Sequence, residues 1–173
     1  MLTETHLREI LSTQCLSFSE TAVECLRAVF RTSSEVREPW TLSEQLDGRF
    51  EYVFVQAASN PRYESRLCVG LSTSALPGFV GCPMDVGEAK DALKEFANTF
   101  VGMIMDIQAL RDVCGVLTQM SPAEAVGGAF FPRAPGINGK LWVGDHAMYL
   151  GYCMSVSAAT GMDPEYEALV DLA

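Results

Sequence analysis

Histidine is scarce in this chain, and its scarcity narrows the chemistry that the chain can perform. The 173 residues include only two histidines, His6 and His146, which lie far apart in the sequence. A catalytic triad or a histidine-based metal site needs such a residue close to a nucleophile or to further ligands. We therefore expect neither a triad nor a metal site of the protein's own.

Long apolar runs and basic residues are also few. No stretch approaches the roughly 20 apolar residues that cross a bilayer, and Met1 to Arg8 has neither the basic start nor the apolar run of a secretory signal. Acidic residues outnumber basic ones by 22 to 12, which gives a formal net charge of −10. This balance disfavours nucleic acid and anionic membrane surfaces as partners. We expect a cytoplasmic protein that does not insert into membranes.

Cysteines are present but form no C-x-x-C pair. The six are scattered through apolar surroundings, which favours reduced and buried thiols over disulfides or metal ligands. A length of 173 residues with 49% hydrophobic content suits one compact domain over residues 1–173. No linker or low-complexity tract divides the chain.

The N-terminal part is predicted to be helical. Apolar residues recur every three to four positions from Thr3 to Arg31, which predicts a helical segment within residues 1–31, as one helix or two. Ser17 to Glu20 offers a capping box at a candidate break. The polar stretch from Thr32 to Gly48 reads as a loop, in which Trp40 is expected to plug the core.

Strands dominate the rest of the chain. Arg49 to Ala57 and Ser65 to Thr73 are rich in β-branched and aromatic residues and predict a hairpin. Between Ser74 and Met84, two prolines and two glycines argue against a continuous helix. Three further strands are predicted at Ala125 to Phe131, Lys140 to Val143 and Ala147 to Ala158. Turns are expected at Gly136, Asn138 and Gly139, and at Gly144 with Asp145. The acidic tail, 159–173, is expected to form one helical turn or to fray.

Between these strand regions lies a helix with a polar stripe. It should begin between Asp85 and Glu88 and run to Leu110 or Val113. At about 100° per residue, Glu95, Asn98 and Gly102 fall within about 40° of Asp91. The apolar residues of the same segment fall near the opposite pole, where a helix docks on a core. The stripe is either a solvated outer face or a surface displayed to a partner.

The stripe resembles the signature of the CheC, CheX and FliY chemotaxis phosphatases. That signature has Asp or Ser, three residues, Glu, two residues, Asn, and then about 22 residues before a Pro. Asp91, Glu95 and Asn98 match its first part, and Pro122 matches the proline after a gap of 23 residues. No other Glu in the chain has an Asn three residues later. The resemblance is therefore closest to the single-motif CheX type.

This resemblance implies a fold and a function. The fold would be of the α/β class, α+β in type, with a mixed or antiparallel sheet backed by helices and the motif on a long surface helix. The protein would be a phosphatase that removes the phosphoryl group from the phosphoaspartate of a CheY-like response-regulator receiver. It would use no cofactor of its own, because Mg²⁺ is expected in the receiver, and it would pair as a homodimer. The alternative is a non-catalytic module with the same fold that binds a receiver or a flagellar-switch component.

The resemblance also assigns roles to Asn98 and Glu95, and the positions of Asp91 and Gly102 on the helix suggest roles for these two. Asn98 would position the attacking water, and Glu95 would form an ion pair with a lysine of the receiver. Asp91 would add a contact at the edge of the partner or serve as a first-turn helix carboxylate, and both roles stay open. Gly102 would allow another backbone or the partner to approach closely, because glycine within a helix otherwise costs about 1 kcal/mol.

Overall fold

A computed structural model describes residues 3–43, 50–72, 74–80, 86–126 and 136–157 of the chain. Within these ranges the helices are α1 Glu4–Thr13, α2 Cys15–Phe30, α3 Leu76–Val80, α4 Val86–Met105 and α5 Gln108–Cys114. The strands are β1 Thr41–Ser43, β2 Tyr52–Ser59, β3 Tyr63–Leu71, β4 Thr118–Gln119, β5 Ala123–Val126, β6 Gly136–Val143 and β7 His146–Val156.

The seven strands form one antiparallel sheet. Its order is β1-β6-β7-β3-β2-β4, and β5 also pairs with β2. The β2–β3 hairpin lies near the centre of the sheet and places Phe54 opposite Val69. The predicted α+β fold, an antiparallel sheet backed by helices, is thereby confirmed.

The main core lies between the helices and one face of the sheet. Helix α4 packs against α2 and β2, while α1 lies near β1, β6 and β7. Alternate residues of β7, such as Leu150 and Tyr152, point into this core, as the two-residue period of a strand requires. The ring of Tyr152 contacts Phe18 of α2 with ring centroids 5.1 Å apart.

The N-terminal helical segment is confirmed, but its break is at Gln14 and not at the candidate capping box. Ser17 and Glu20 lie inside α2. Just before the break, the hydroxyls of Ser12 and Thr13 donate to the carbonyls of Glu9 and Ile10 at 2.7 and 2.8 Å. Such bonds compete with the helical backbone ladder, which gives a physical reason for the earlier break.

The stretch predicted as a loop from Thr32 to Gly48 contains a strand. Residues of β1 pair with β6, with Leu42 opposite Ile137, and Glu35 forms a separate bridge with Trp142. Trp40 is buried, as expected of a core plug. Residues 44–49 lie outside the described ranges.

Gly136, Asn138 and Gly139 are not turn residues, because β6 runs through all three. A Cβ atom on Gly139 would lie 2.3 Å from Cδ1 of Trp40, so the indole occupies the space above this glycine. The glycine is needed for close packing and not for a turn. The turn at Gly144 and Asp145 is confirmed.

The predicted hairpin is confirmed with strand ends shifted by two or three residues. Of the three later strands, the first corresponds to β5 at Ala123–Val126, and the others correspond to β6 and β7. The short strand β4, residues 118–119, was not predicted. Residues 127–135 and the acidic tail 159–173 lie outside the described ranges.

One helix prediction needs correction. The motif helix α4 begins at Val86, as predicted, but ends at Met105, and a separate helix α5 follows. Neither proline nor glycine marks this break. Ile107 adopts extended backbone angles, and its carbonyl accepts from the N–H groups of Leu110 and Arg111, so α5 starts in a new direction. The region with two prolines and two glycines holds the five-residue helix α3, which is consistent with the expectation that no continuous helix fills it.

The described cysteines fit the expectation of buried thiols. Cys25, Cys68, Cys114 and Cys153 are buried, Cys15 is half-buried, and all five are free. Burial raises the pKa of the Cys25 thiol to about 12. This thiol stays protonated at neutral pH and is correspondingly unreactive. Cys82 lies outside the described ranges.

Among the described residues, no helix combines the length and the apolar character needed to cross a membrane.

Candidate functional site

Helix α4 separates a buried apolar face from an exposed polar one. Leu93, Phe96 and Phe100 are fully buried, whereas Asp91, Glu95 and Asn98 are exposed. The helical period of the sequence predicts this division. All three polar members of the motif therefore stand at the protein surface.

The exposed face of α4 forms one wall of a cleft. The other wall is the chain from β4 to the start of β5, and it includes Pro122. The cleft has eight lining residues: Asp91, Lys94, Glu95, Asn98, Gln119, Met120, Ser121 and Pro122. Thus the motif residues of the helix and the proline that follows them in the signature meet at one place.

Backbone and side-chain hydrogen bonds hold the second wall against the sheet. The Met120 N–H donates to the carbonyl of Ala57 at 2.9 Å. The buried Gln56 side chain donates from Nε2 to the carbonyl of Met120. Because both partners belong to β2, the wall is tied to the centre of the sheet.

Asn60 fixes the chain that leads into this wall. Its Nδ2 donates to the carbonyls of Cys114 and Val116 at 2.8 and 3.2 Å. Its Oδ1 accepts from the N–H groups of Arg62 and Tyr63, each at 2.9 Å. One side chain therefore shapes the β2–β3 turn and anchors the segment after α5.

Gly102 faces the second wall, one helical turn beyond Asn98. A Cβ atom at this position would lie 3.2 Å from Nε2 of Gln119. That is tighter than most Cβ contacts, so an alanine would require the Gln119 amide to shift by a few tenths of an ångström. The group that approaches Gly102 within the described chain is thus the Gln119 side chain.

Asp91 does not belong to the first turn of the helix, since α4 begins five residues earlier at Val86. The first-turn role is thereby excluded for Asp91, while a contact with a partner stays a prediction. Its Oδ1 accepts from Lys94 Nζ at 3.0 Å, and Lys94 lines the same cleft. This cation sits among the motif carboxylates and partly balances their charge.

A second ion pair joins α4 to the outer strand β5. Lys90 Nζ lies 2.6 Å from Oε1 of Glu124 and 4.8 Å from the ring centroid of Tyr52. The hydrogen bond to Glu124 raises the pKa of Lys90. The pair links the motif helix to the strand that continues the second wall.

The cleft combines exposed carboxylates with side-chain amides. Glu95 can pair with a cation, and the one side-chain hydrogen bond found for it among the described residues is a long one of 3.5 Å from Thr99 Oγ1. An amide such as Asn98 both donates and accepts hydrogen bonds without titrating. Among the described residues, no group of three or more His, Cys, Asp or Glu side chains could hold a metal ion.

Sequence analysis did not single out four residues of the cleft, which are Lys94, Gln119, Met120 and Ser121. Gln119 lies in a strand of two residues, too short to produce a readable alternation. Lys94 could have been noticed, because an Asp three residues earlier on a helix is a common ion-pair spacing.

Neither protein-family models nor curated protein sequences match this chain. Solved structures do match it. The chemotaxis protein CheX from Desulfovibrio desulfuricans is 12% identical, with 82% of this chain and 98% of that one covered at a TM-score of 0.62. CheX from Vibrio vulnificus is 13% identical, with 80% and 96% covered at a TM-score of 0.61.

A third match comes from a complex. It is the CheX–CheY–BeF3–Mg²⁺ complex from Borrelia burgdorferi, 12% identical, with 79% of this chain and 94% of that one covered at a TM-score of 0.53. These similarities confirm, at the level of the fold, the resemblance to the CheC and CheX family that the motif predicts.

Proposed function

We propose that this chain, which has the CheX fold, is a phosphatase of a CheY-like response-regulator receiver. The observation that carries the proposal is the cleft between α4 and the chain around Pro122. Glu95, Asn98 and Pro122 were singled out by their order in the sequence alone, and all three line this one exposed cleft. A phosphorylated side chain of a partner could therefore reach them together.

Asn98 would hold the attacking water. Its carbonyl oxygen accepts from the water, while its NH₂ group donates to a phosphoryl oxygen. The water oxygen then forms a bond to phosphorus as the bond between phosphorus and the aspartate oxygen breaks. The aspartate leaves as a carboxylate with the bonding electron pair, and the phosphate departs as H₂PO₄⁻ with both protons of the water. Positioning of this kind is the main contribution that a protein makes to phosphoryl transfer.

Glu95 would set the docking position. It stands one turn before Asn98 on the same exposed face, so both side chains can reach one partner. Its carboxylate would pair with a lysine of the receiver. Asp91 would contact the partner at the edge of the same surface, and this contact would replace its ion pair with Lys94.

The divalent ion of the reaction would come with the receiver. The chain supplies Asp91 and Glu95 as the exposed acids of the cleft, and Asp91 is already paired with Lys94. A Mg²⁺ site normally uses converging oxygen ligands together with substrate phosphate.

Pairing of two copies of the chain stays a prediction of the resemblance.

Phosphate release tests the proposal directly. A CheY-like receiver, ideally the one encoded nearest to this protein, is phosphorylated with a small phosphodonor in the presence of Mg²⁺. Release of inorganic phosphate is then followed with and without the full chain. We expect faster release with the protein present. Tight binding to the phosphorylated receiver with no faster release would instead support the non-catalytic module.

Glu95→Lys should abolish binding to the receiver. The change places a cation against the partner's lysine and removes the attractive charge, so the pair becomes repulsive. Affinity is measured with the receiver held in its phosphate-mimic state by beryllofluoride and Mg²⁺. Glu88→Lys, in the first turn of the same helix and outside the residues that line the cleft, is the matched control for net charge. Equal affinity of the Glu95 variant and the parent would refute the docking role.

A further inference from the structure

Gln119 occupies a defined place in the cleft that the signature does not include. It lies on β4, where its backbone pairs with Ala58 of β2. The next residue, Met120, is held by its N–H bond to the Ala57 carbonyl and by the bond from Gln56 to its own carbonyl. The side chain of Gln119 therefore starts from a backbone position that is fixed on the central part of the sheet.

The Gln119 amide also lies against the helix opposite, at Gly102. Its Nε2 lies 3.2 Å from where a Cβ atom of Gly102 would be. Gly102 is four residues beyond Asn98, or about 6 Å along the helix axis at 1.5 Å per residue. The missing side chain at Gly102 thus leaves room for an amide one turn away from Asn98.

Within the part of the chain that the structure describes, no hydrogen bond of the Gln119 side chain is found. Its two N–H groups and its carbonyl oxygen are available to a ligand in the cleft. An amide with free donors in the cleft is suited to bind the oxygens of a phosphoryl group.

We infer that Gln119 is a further catalytic residue, whose NH₂ group donates to a phosphoryl oxygen while Asn98 holds the water. This inference rests on the proposed phosphatase function and extends it. The reaction is the same hydrolysis, with the negative charge on the phosphoryl oxygens now stabilised from both walls of the cleft. Gly102 is then a positioning residue that acts through Gln119.

Gln119→Ala tests the inference through a split between rate and affinity. We expect the rate of phosphate release at saturating receiver to fall about 10- to 100-fold, at or below the low end of the roughly 10²- to 10³-fold range seen when one preorganised donor is lost. Affinity for the beryllofluoride-bound receiver should change less than the rate, because the docking carboxylates are intact. Thr118→Ala, at the exposed neighbouring position of β4, is the control and should keep the parent rate.

Gly102→Ala tests the same role of the Gln119 amide by a different substitution. The added methyl group should displace the Gln119 amide and lower the rate, while alanine is a better helix former than glycine and should preserve the fold. The double variant should be no slower than Gln119→Ala alone, because both changes remove one interaction. Circular dichroism and the midpoint of urea unfolding establish that each variant is folded.

The outcomes separate this inference from the function on which it rests. If the parent protein does not accelerate phosphate release, the proposed function and the inference both fall. If the parent is active and Asn98→Ala is inactive, but Gln119→Ala keeps the parent rate, only the inference is overturned. If the two changes lowered the rate multiplicatively in the double variant, Gly102 would not act through Gln119, and its positioning role would be overturned.

Discussion

Replacing Asn98 by alanine is expected to slow dephosphorylation of the receiver by roughly 10²-fold or more. The amide would contact both the water and a phosphoryl oxygen in the transition state, and loss of one preorganised contact typically has an effect of this size. The rate constant for phosphate release at saturating receiver measures it. Affinity for the beryllofluoride-bound receiver should remain close to that of the parent, because Glu95 still supplies the ion pair.

The structure indicates that this loss would not arise from unfolding. Asn98 is exposed on α4, and alanine has a higher helix propensity than asparagine. Thr99→Ala removes a side chain of similar size from the adjacent position and is the matched control. We expect that variant to keep activity within a few-fold of the parent. Activity of Asn98→Ala in the same range would refute the positioning role of Asn98.

Phe96→Ala should destabilise the protein by about 3 to 5 kcal/mol, through lost burial and the cavity that remains. The Phe96 ring is fully buried between two others, with centroids 5.9 Å from Phe30 and 5.8 Å from Phe100. It therefore connects the motif helix with α2. Denaturant unfolding of the parent and the variant gives the difference in free energy.

Two kinds of control make this result specific. Leu16→Ala also shortens a large apolar side chain, but Leu16 is 69% exposed, so we expect a cost within about 0.5 kcal/mol. Asp91→Ala, Glu95→Ala and Asn98→Ala should each stay within about 1 kcal/mol, because their side chains are exposed. If Glu95→Ala or Asn98→Ala were as damaging as Phe96→Ala, these residues would hold the fold together, and the docking surface would lose its basis.

The same two experiments distinguish the candidate functions. A non-catalytic receiver-binding module would show the stability contrast between Phe96 and the polar face, because that contrast depends on the fold alone. It would not show acceleration of phosphate release by the parent, and Asn98→Ala would then have no rate to lose. Activity therefore decides the function, while stability decides only whether the polar face is free to dock.

The sequence by itself determined the division of α4 into a core face and a polar face. That division follows from the helical period, a local property that depends on the order of residues and not on what surrounds them. The same is true of the β2–β3 hairpin, whose two apolar runs flank the turn at Asn60, and of the helical character of the N-terminal segment. The order of Glu95, Asn98 and Pro122 carried the resemblance to the CheX type.

Only the tertiary structure decided what faces that polar stripe. Gln119 lies next to Gly102 because it pairs with Ala58 of β2 and the next residue, Met120, bonds to Ala57. Strand β2 precedes these residues by about 60 positions in the chain. Asn60 likewise joins the β2–β3 turn to the segment after α5 through bonds that no local pattern reveals. The role of Gly139 under Trp40 also depends on a neighbour distant in sequence. Periodicity reports the two sides of one element, whereas a cleft is made by two elements, and their pairing is fixed by long-range packing and hydrogen bonds.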